Sequence, residues 1–556
     1  MRVEHIYKKY FFLILSQLFL LSIHSLYSQS KISHFNVDSS HIKRHVWSLG
    51  SDAFEGRGTG TRGESAAAEY ISTYLADLGI IPMGDDKSFY QKIPMHGSRP
   101  QKSSQFLLSR SNSDTTLRFG QDYLLYKTGA ETYIPNLTPL EFVGYGIIAP
   151  EYDYNDYQTV DVEGKIVVFL SGEPYSEDPE FFEGLKPTIY SYPESKQRIA
   201  ISRGARGSIM IPISKDIKNY DWDYWKQQFA FEHITLAYTV TSHMSALLNP
   251  SLADHIFSGS GMTFDRVLEM HKKGKLSSFP LNSQISFSGD FEERDFIGRN
   301  IIGMIKGRDR ELSDTYVIVS AHYDHLGIGP AVNGDSIYNG VLDNALGVAA
   351  LLEISRNFSM SDLKPKRSLI FLYLTGEEKG LLGSNYYADH PVRPLYKTVA
   401  AINVDGIAAF EEFTDIVGIG AELSSLKNDL LNVAASQGLR VSSIPENYFY
   451  ESESVSRSDQ FSFIKAGIPS VLITEGVNYK NTSYEKGILR LIQWSNNVYH
   501  SPFDDLKQPL NFMATLQHTN LIYEFVSTIA NKEEPPYWIP GSPYVNARLQ
   551  SIAEKR

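Results

Sequence analysis

From about Asn300 onward the chain alternates short, uninterrupted apolar runs with stretches of helical periodicity, and this alternation restricts the fold more than any other feature. "TYVIVSA", "SLIFLYL", "TVAAINV" and "IPSVLIT" lack the polar/apolar alternation of a strand with one wet face. They read as strands buried on both sides. Between them, "NALGVAALLEISRNF" puts Val348, Leu351, Leu352, Ile354 and Phe358 at helical spacing. Further helices are predicted from about Gly380, over Ser425 to Ser436, and in "NFMATLQHTNLIYEFVSTIAN". The predicted class is α/β, a three-layer α/β/α domain with a mixed, largely parallel sheet.

The rest of the chain has a different texture. A segment from His45 joins a Gly/Arg/Thr-rich loop to an alanine-rich helical pattern ending at Gly79. Between about Gln105 and Ser288, runs such as "LEFVGYGII", "GKIVVFL" and "GSIMIPI" sit among Tyr, Pro and Asp clusters, which predicts an inserted β-rich module. After Asn531, four prolines (Pro535, Pro536, Pro540 and Pro543) predict an extended surface tail. At the start, Arg2, Lys8 and Lys9 precede the apolar stretch Tyr10 to Ile23, and small residues follow near Ser28. That is the pattern of an export signal, and the run is shorter than the ~20 residues of a membrane span. The predicted organisation is a signal peptide (1–28), the N-terminal part of a catalytic domain (29–104), the β-rich insertion (105–288), the main catalytic part (289–532) and a tail (533–556). A formal charge of −12 with no basic tract argues against nucleic acid as a partner. Without cysteine there is no disulfide, thiolate metal site, cysteine nucleophile or lipoprotein anchor.

Unusual polar residues recur where the apolar runs stop. "TYVIVSA" leads into "HYDHLG", with His322 and Asp324; "NGVLDNALG" puts Asp343 before a helix; "SLIFLYLTG" ends in Glu377 and Glu378; "TVAAIN" ends in Asp405; and "NNVYHSPFDD" carries His500. In such sheets ligands gather beyond the carboxyl ends of strands. Singly, these residues have ordinary explanations: a core histidine, a helix cap, a turn, a solvated first helical turn. Together, two histidines and these carboxylates are ligand chemistry for borderline metals such as zinc. Two ions about 3.5–4 Å apart could share one carboxylate and hold a hydroxide between them. A cation also makes adjacent glutamates tolerable. Successive side chains of extended backbone point opposite ways, so one glutamate can bind metal while the other faces the nucleophilic water.

The segments "SAHYDHLG", "YNGVLDNALGVAALLEI", "LTGEEKGLLGSNYY", "INVDGIA", "SDQFSFIKAGIPSVLITEG" and "VYHSPFDD" resemble the two-zinc exopeptidase family. That family contains secreted bacterial leucine-type aminopeptidases and has glutamate carboxypeptidase and glutaminyl cyclase as relatives. The likeness runs from about His45 to Asn531, and "FVGYGIIAPEYDYNDYQTVDVEGKIVVFL" resembles an inserted protease-associated domain. The resemblance implies two Zn2+ per chain, one bound by His322 and Asp405, the other by Glu378 and His500, with Asp343 bridging. It implies Glu377 as general base, Asp324 as a carboxylate orienting His322, and Tyr499 at a place used for oxyanion stabilisation.

His325 reads as a local hydrogen-bonding residue, His390 as a helix end, and His518 as part of the final helix. Arg457, Ser458 and Asp459 read as cleft residues or, more simply, a helix N-cap. "GRGTGTRG" around Arg57 lacks the lysine of a phosphate-binding loop. The expected function is a zinc-dependent aminopeptidase acting on peptide substrates in a bacterial periplasm or outside the cell, with no stable membrane span after signal cleavage. The alternatives are a carboxypeptidase or glutaminyl cyclase on the same fold, or a non-catalytic protein that binds through its inserted domain. Nothing in the sequence sets the oligomeric state.

Overall fold

The computed structural model describes residues 38–553 apart from 111–112, 127–131, 179, 185–187, 214–221 and 445–454. The predicted signal peptide lies outside the described residues. The larger of two principal sheets contains β1 (Tyr90–Pro100), β2 (His233–Leu236), β3 (Phe291–Ile305), β4 (Tyr316–His322), β5 (Ser368–Leu374), β6 (Thr398–Asn403), β7 (Asp415–Ile419) and β8 (Ser470–Glu475). Its order is β2-β1-β3-β5-β4-β6-β8-β7, followed by the short strand Arg440–Val441, with Ile81–Pro82 paired to β3. The centre is parallel: β5, β4, β6 and β8 run the same way. Antiparallel pairing flanks it, β3 with β5 on one side and β7 with β8 on the other. The sheet is mixed.

The central apolar runs need cover on both faces, and they have it. Every residue of β4, β5 and β6 is buried. Val317, Val319 and Ala321 of β4 face one core while Tyr316 and Ile318 face the other, and Leu369/Phe371/Tyr373 and Ile370/Leu372/Leu374 of β5 divide likewise. This is the two-residue period of a strand used on both sides. One face is covered by α1 (Ser39–Leu49), α2 (Arg62–Asp77), α3 (Leu346–Met360), α4 (Leu426–Ser436) and α5 (Phe512–Asn531). The other is covered by shorter helices, Leu382–Asp389 and Gln460–Lys465, which contribute Tyr387 and Phe463. Helix α3 is buried around its whole circumference from Leu346 to Ser355, apolar there except for Ser355 and for Glu353, which pairs with Arg356 at 2.7 Å. Each fully buried Leu, Ile or Val side chain there contributes about 1.5–3 kcal/mol. At the start of α5 the Asn511 side chain accepts from the amides of Met513 and Ala514, satisfying donors that the helix itself leaves open.

Residues Gln105–Ser288 hold the eight-stranded second sheet, with apolar cores of its own. It hangs from the larger sheet on a two-stranded stalk: β1 runs out, β3 runs back, and they pair without interruption from Tyr90↔Ile301 to Pro100↔Phe291. Two features differ from the sequence reading. Strand β2 lies inside the 105–288 range yet joins the larger sheet, pairing with β1 from His233↔Ser98 to Leu236↔Met95. It covers what would otherwise be an open strand edge. The tail is not simply extended: Trp538 is buried with its indole donating to the Gly467 carbonyl at 3.0 Å, and the chain then forms a helix over Val545–Ala553. Prolines in the tail set where a helix cannot run, but one tryptophan provides the area that docks it. No helix among the described residues is long and apolar enough to cross a membrane.

Candidate metal centre

The parallel strands end together at one edge of the sheet, and the chain delivers its polar residues there. His322 is the last residue of β4, Glu377 and Glu378 follow β5, and Asp405 follows β6. Asp343 sits in the turn entering α3, and His500 follows the helix Tyr484–Asn497. The turn before Asp343 requires glycine at position 340. Gly340 has φ +58°, and a Cβ there would lie 2.2 Å from the Asp343 carbonyl oxygen and 2.5 Å from the His325 ring.

The side chains meet. Nε2 of His322 lies 3.3 Å from Oδ1 of Asp343 and 3.5 Å from Oδ1 of Asp405. Nε2 of His500 lies 3.3 Å from Oδ2 of Asp343 and 3.1 Å from Oε2 of Glu378. Asp343 therefore offers one oxygen to each group. Both Nε2 atoms are buried and neither makes a hydrogen bond. Ligands about 2.0–2.1 Å from a tetrahedral ion sit roughly 3.3 Å from each other, which is the spacing seen here. The donor types, imidazole nitrogen and carboxylate oxygen, suit zinc. Three-donor groups within 4.8 Å of one another are formed by His322, Glu377 and Asp405, and by His325, Asp343 and Glu378. In the second group Nδ1 of His325 is already engaged, 2.6 Å from Oε1 of Glu378. His325 thus holds a carboxylate in place, while His500 presents an unengaged nitrogen.

The electrostatics show how strongly the site draws positive charge. Burial opposes a charge on His500, but Glu378 and Asp343 outweigh it and raise the imidazole to about 10. His322 is raised well above its ordinary value, with Glu377 and Asp405 overcoming the cost of its burial. Asp343 is held well below the usual carboxylate range by the two imidazoles, despite its own burial. Burial, reinforced by Glu378, Asp459 and Asp405 and opposed by His322, pushes Glu377 well above the usual range. Divalent ions would take over the balancing that protons otherwise provide.

The remaining sequence candidates fall close by. The Asp324 carboxylate is 3.9 Å from Nδ1 of His322, beyond hydrogen-bond range, and the nearer acceptor is the Asp324 carbonyl, at 3.2 Å. The carboxylate instead accepts from the backbone amide of Glu377 at 3.1 Å and from the Thr59 hydroxyl at 2.9 Å. The Tyr499 ring stacks on His500 with centroids 3.8 Å apart. Tyr499 is 40% exposed, so a substrate can reach it. Its phenol is kept protonated, its pKa raised well above the ordinary value by desolvation and by the surrounding carboxylates. Tyr499, Asp343, Glu377 and Asp405 border a cavity of about 520 Å³ whose walls include Phe410, Val417, Ile419, Leu472 and Trp494.

Several supporting residues have no distinct signal in the sequence. Ser458 donates to Oδ2 of Asp405 at 2.6 Å and accepts from Asn403, which in turn accepts from Ser320. The Ser458-Asp459 pair looks like a helix cap, yet Asp459 makes no capping bond. It is buried, its carboxylate oxygens lack hydrogen-bond partners, and burial raises it to about 7. Asp504 accepts from the backbone amides of Leu342 and Asp343, fixing the shared carboxylate from behind. Asn344 donates to the Val404 carbonyl and so ties the Asp343 turn to the Asp405 loop. Arg57, from the Gly-rich loop, is fully buried and donates to the carbonyls of Leu49, Tyr323, Asn339 and Gly340.

Fold and donor set together define an α/β protein with a candidate divalent-metal centre at the carboxyl edge of its parallel strands. Residues 300–526 match the model of peptidase family M28. A probable zinc metalloprotease of Pyrenophora tritici-repentis is 35% identical over 127 residues, which is 22% of this chain and 28% of that protein. The aminopeptidase NAALADL1 of Mus musculus is 34% identical over 142 residues, 25% of this chain and 17% of that one. The chain thus spans less than a third of the length of these curated relatives. Among solved structures, the aminopeptidase from Aneurinibacillus sp. strain AM-1 aligns over 91% of this chain and 96% of its own, with TM-score 0.52 and 18% identity. That likeness is one of fold.

Proposed function

We propose that this chain is a zinc-dependent aminopeptidase, hydrolysing the N-terminal residue from peptides. One observation carries the reading. Two buried imidazole nitrogens without hydrogen bonds, on His322 and His500, each face an oxygen of the shared Asp343 and an oxygen of one further carboxylate. His322 and Asp405 would hold one ion, Glu378 and His500 a second, with Asp343 common to both. Bound divalent ions supply the Lewis acidity that polarises a peptide carbonyl and acidifies water.

The chain's own groups do the rest. Glu377 takes a proton from the attacking water and passes it to the departing amine. Asp324 steadies Glu377 through its backbone amide. The neutral Tyr499 hydroxyl donates to the oxygen on which charge develops. The 520 Å³ cavity beside Glu377 receives an apolar side chain. The names of similar proteins, an aminopeptidase among the curated relatives and one among the solved structures, support an exopeptidase acting at the amino end. Residues 105–288 are read as a protease-associated domain, and the apolar run Tyr10 to Ile23 supports export.

Purified protein assayed with aminoacyl-p-nitroanilides and N-blocked dipeptides, with and without chelator, tests the proposal. Free-amine substrates should be cleaved and chelation should abolish turnover. Glu377→Gln should lower kcat by about 10²–10⁴-fold while metal content, measured by elemental analysis, is unchanged. Cleavage of N-blocked substrates alone would replace the aminopeptidase reading with a carboxypeptidase.

A further inference from the structure

The residues of the metal centre are divided between two cavities. Asp343, Glu377 and Asp405 line the 520 Å³ cavity within the larger sheet's own unit. Glu378 and His500 instead border a second cavity, of about 300 Å³, whose opposite wall comes from the 105–288 region. A peptide bond lying across the centre would therefore have one side in each. Lys379, next in sequence to Glu378, lines the second cavity, and its ammonium lies 5.4 Å from the centroid of the Phe231 ring. No carboxylate among the described residues forms an ion pair with it. The nearby Glu232 is engaged by Arg294 through two bonds of 2.7 Å. Glu194 and Glu378 line this cavity as well, and the Lys379 ammonium stands among them without an ion pair of its own; such a cation is complementary to an anion that arrives with the substrate.

Resting on the peptidase reading above, we propose that this second cavity receives the leaving-group side of the substrate and that Lys379 reads its C-terminal carboxylate. Lys379 shares a cavity of only about 300 Å³ with Glu378 and His500 of the centre, so its ammonium stands a short way beyond the scissile bond. Each extended residue advances the chain by about 3.3–3.6 Å. The carboxylate then belongs one or two residues past that bond, and the preferred substrates are dipeptides and tripeptides with free C-termini. The reaction remains hydrolysis, with water adding across the peptide bond to give an amino acid and a shortened peptide or second amino acid.

The test compares kcat/KM of the metal-loaded enzyme on Leu-Gly and Leu-Gly-Gly with kcat/KM on their C-terminal amides. A charge-assisted contact predicts an acid-to-amide ratio of about tenfold or more for at least one length. Lys379→Met should bring the ratio toward one, Lys379→Arg should keep most of it, and Lys379→Glu should invert it. Hydrolysis of acids and amides at equal efficiency, or a ratio that survives Lys379→Met, overturns the inference and leaves the aminopeptidase standing. Failure to hydrolyse any of the four, with metal bound, removes both.

Discussion

Arg57 illustrates how much of the centre depends on residues that never touch it. Its guanidinium joins the end of α1 at Leu49 to Tyr323, between His322 and Asp324, and to Asn339 and Gly340, just ahead of Asp343. A cation at the carboxyl end of a helix is also favourably placed. Burial lowers its pKa only to about 10, with Asp504, Asp343, Asp324 and Glu378 acting to hold the charge. Arg57→Met should leave buried carbonyls without donors and cost on the order of 3–5 kcal/mol, measured by urea unfolding. The same variant should retain less metal after dialysis. Arg57→Lys should recover part of the stability, because it keeps the charge but not the planar fork.

The contrast between residues named from the sequence and those noticed only in the structure has a physical basis. His322, Asp343, Glu378, Asp405 and His500 stand at the ends of apolar runs or in the loops beside them, where their recurrence has no packing explanation. Arg57, Ser458 and Asp504 act through backbone groups or through another side chain's oxygen, on partners distant in sequence. Their local strings look like a glycine loop, a helix cap and a turn. Lys379 is likewise one more surface-type residue until the cavity beside it is seen.

Among the elements, helix α5 gives a pH-dependent prediction. His518 accepts from the Ala408 amide through Nδ1 at 3.0 Å and places Nε2 3.1 Å from the Ile473 carbonyl, so it is held in one neutral form inside the core. Burial lowers its pKa to about 4, and His45 on α1 is lowered to about 4 mainly by burial as well. The unfolded chain therefore binds more protons than the folded one between pH ~6.5 and ~4. The contribution of each histidine is intact above the upper value and is lost as pH falls toward the lower, a change on the order of 3 kcal/mol per residue. His518→Gln can reproduce both hydrogen bonds without titrating. Its Tm should fall less steeply than the wild type's between pH 7 and 4, in scans of metal-free protein. An unchanged slope would show that His518 protonates freely in the folded state.

The elements themselves were legible to different degrees. Strands β4, β5 and β6 were evident because they are apolar throughout and short, and α3 because its period persists over four turns. β2 was not, since "HITL" is four residues with no run to announce it. Only the unpaired edge of β1 explains its place. The docked tail was missed because its anchor is a single tryptophan among prolines.

At the scale of the whole molecule, two sheets with separate cores share one chain, and the larger sheet's unit is interrupted by the other. The cleft between them exists only because the second sheet is suspended beside the parallel strands' carboxyl edge. The change in texture falls at Gln105, where the second sheet's first strand begins, whereas the way the two units border a common cavity has no local signal. Pairing across this distance is a matter of three-dimensional contact that no local pattern records.

The stalk also sets a timetable. Tyr90 has no partner in β3 until Ile301 has been made, and closing so long a loop is entropically unfavourable while its contents are disordered. The hanging sheet, whose cores are its own, can order first and bring the two ends near each other. In refolding followed by pulsed hydrogen exchange, amides of Ile166–Leu170 and Gly207–Ile211 should gain protection before those of Ile93 and Met95. The opposite order would mean that the larger sheet assembles around an unfolded loop. In the cell, that timetable would make the inserted segment the one that gathers the two halves of the unit around it.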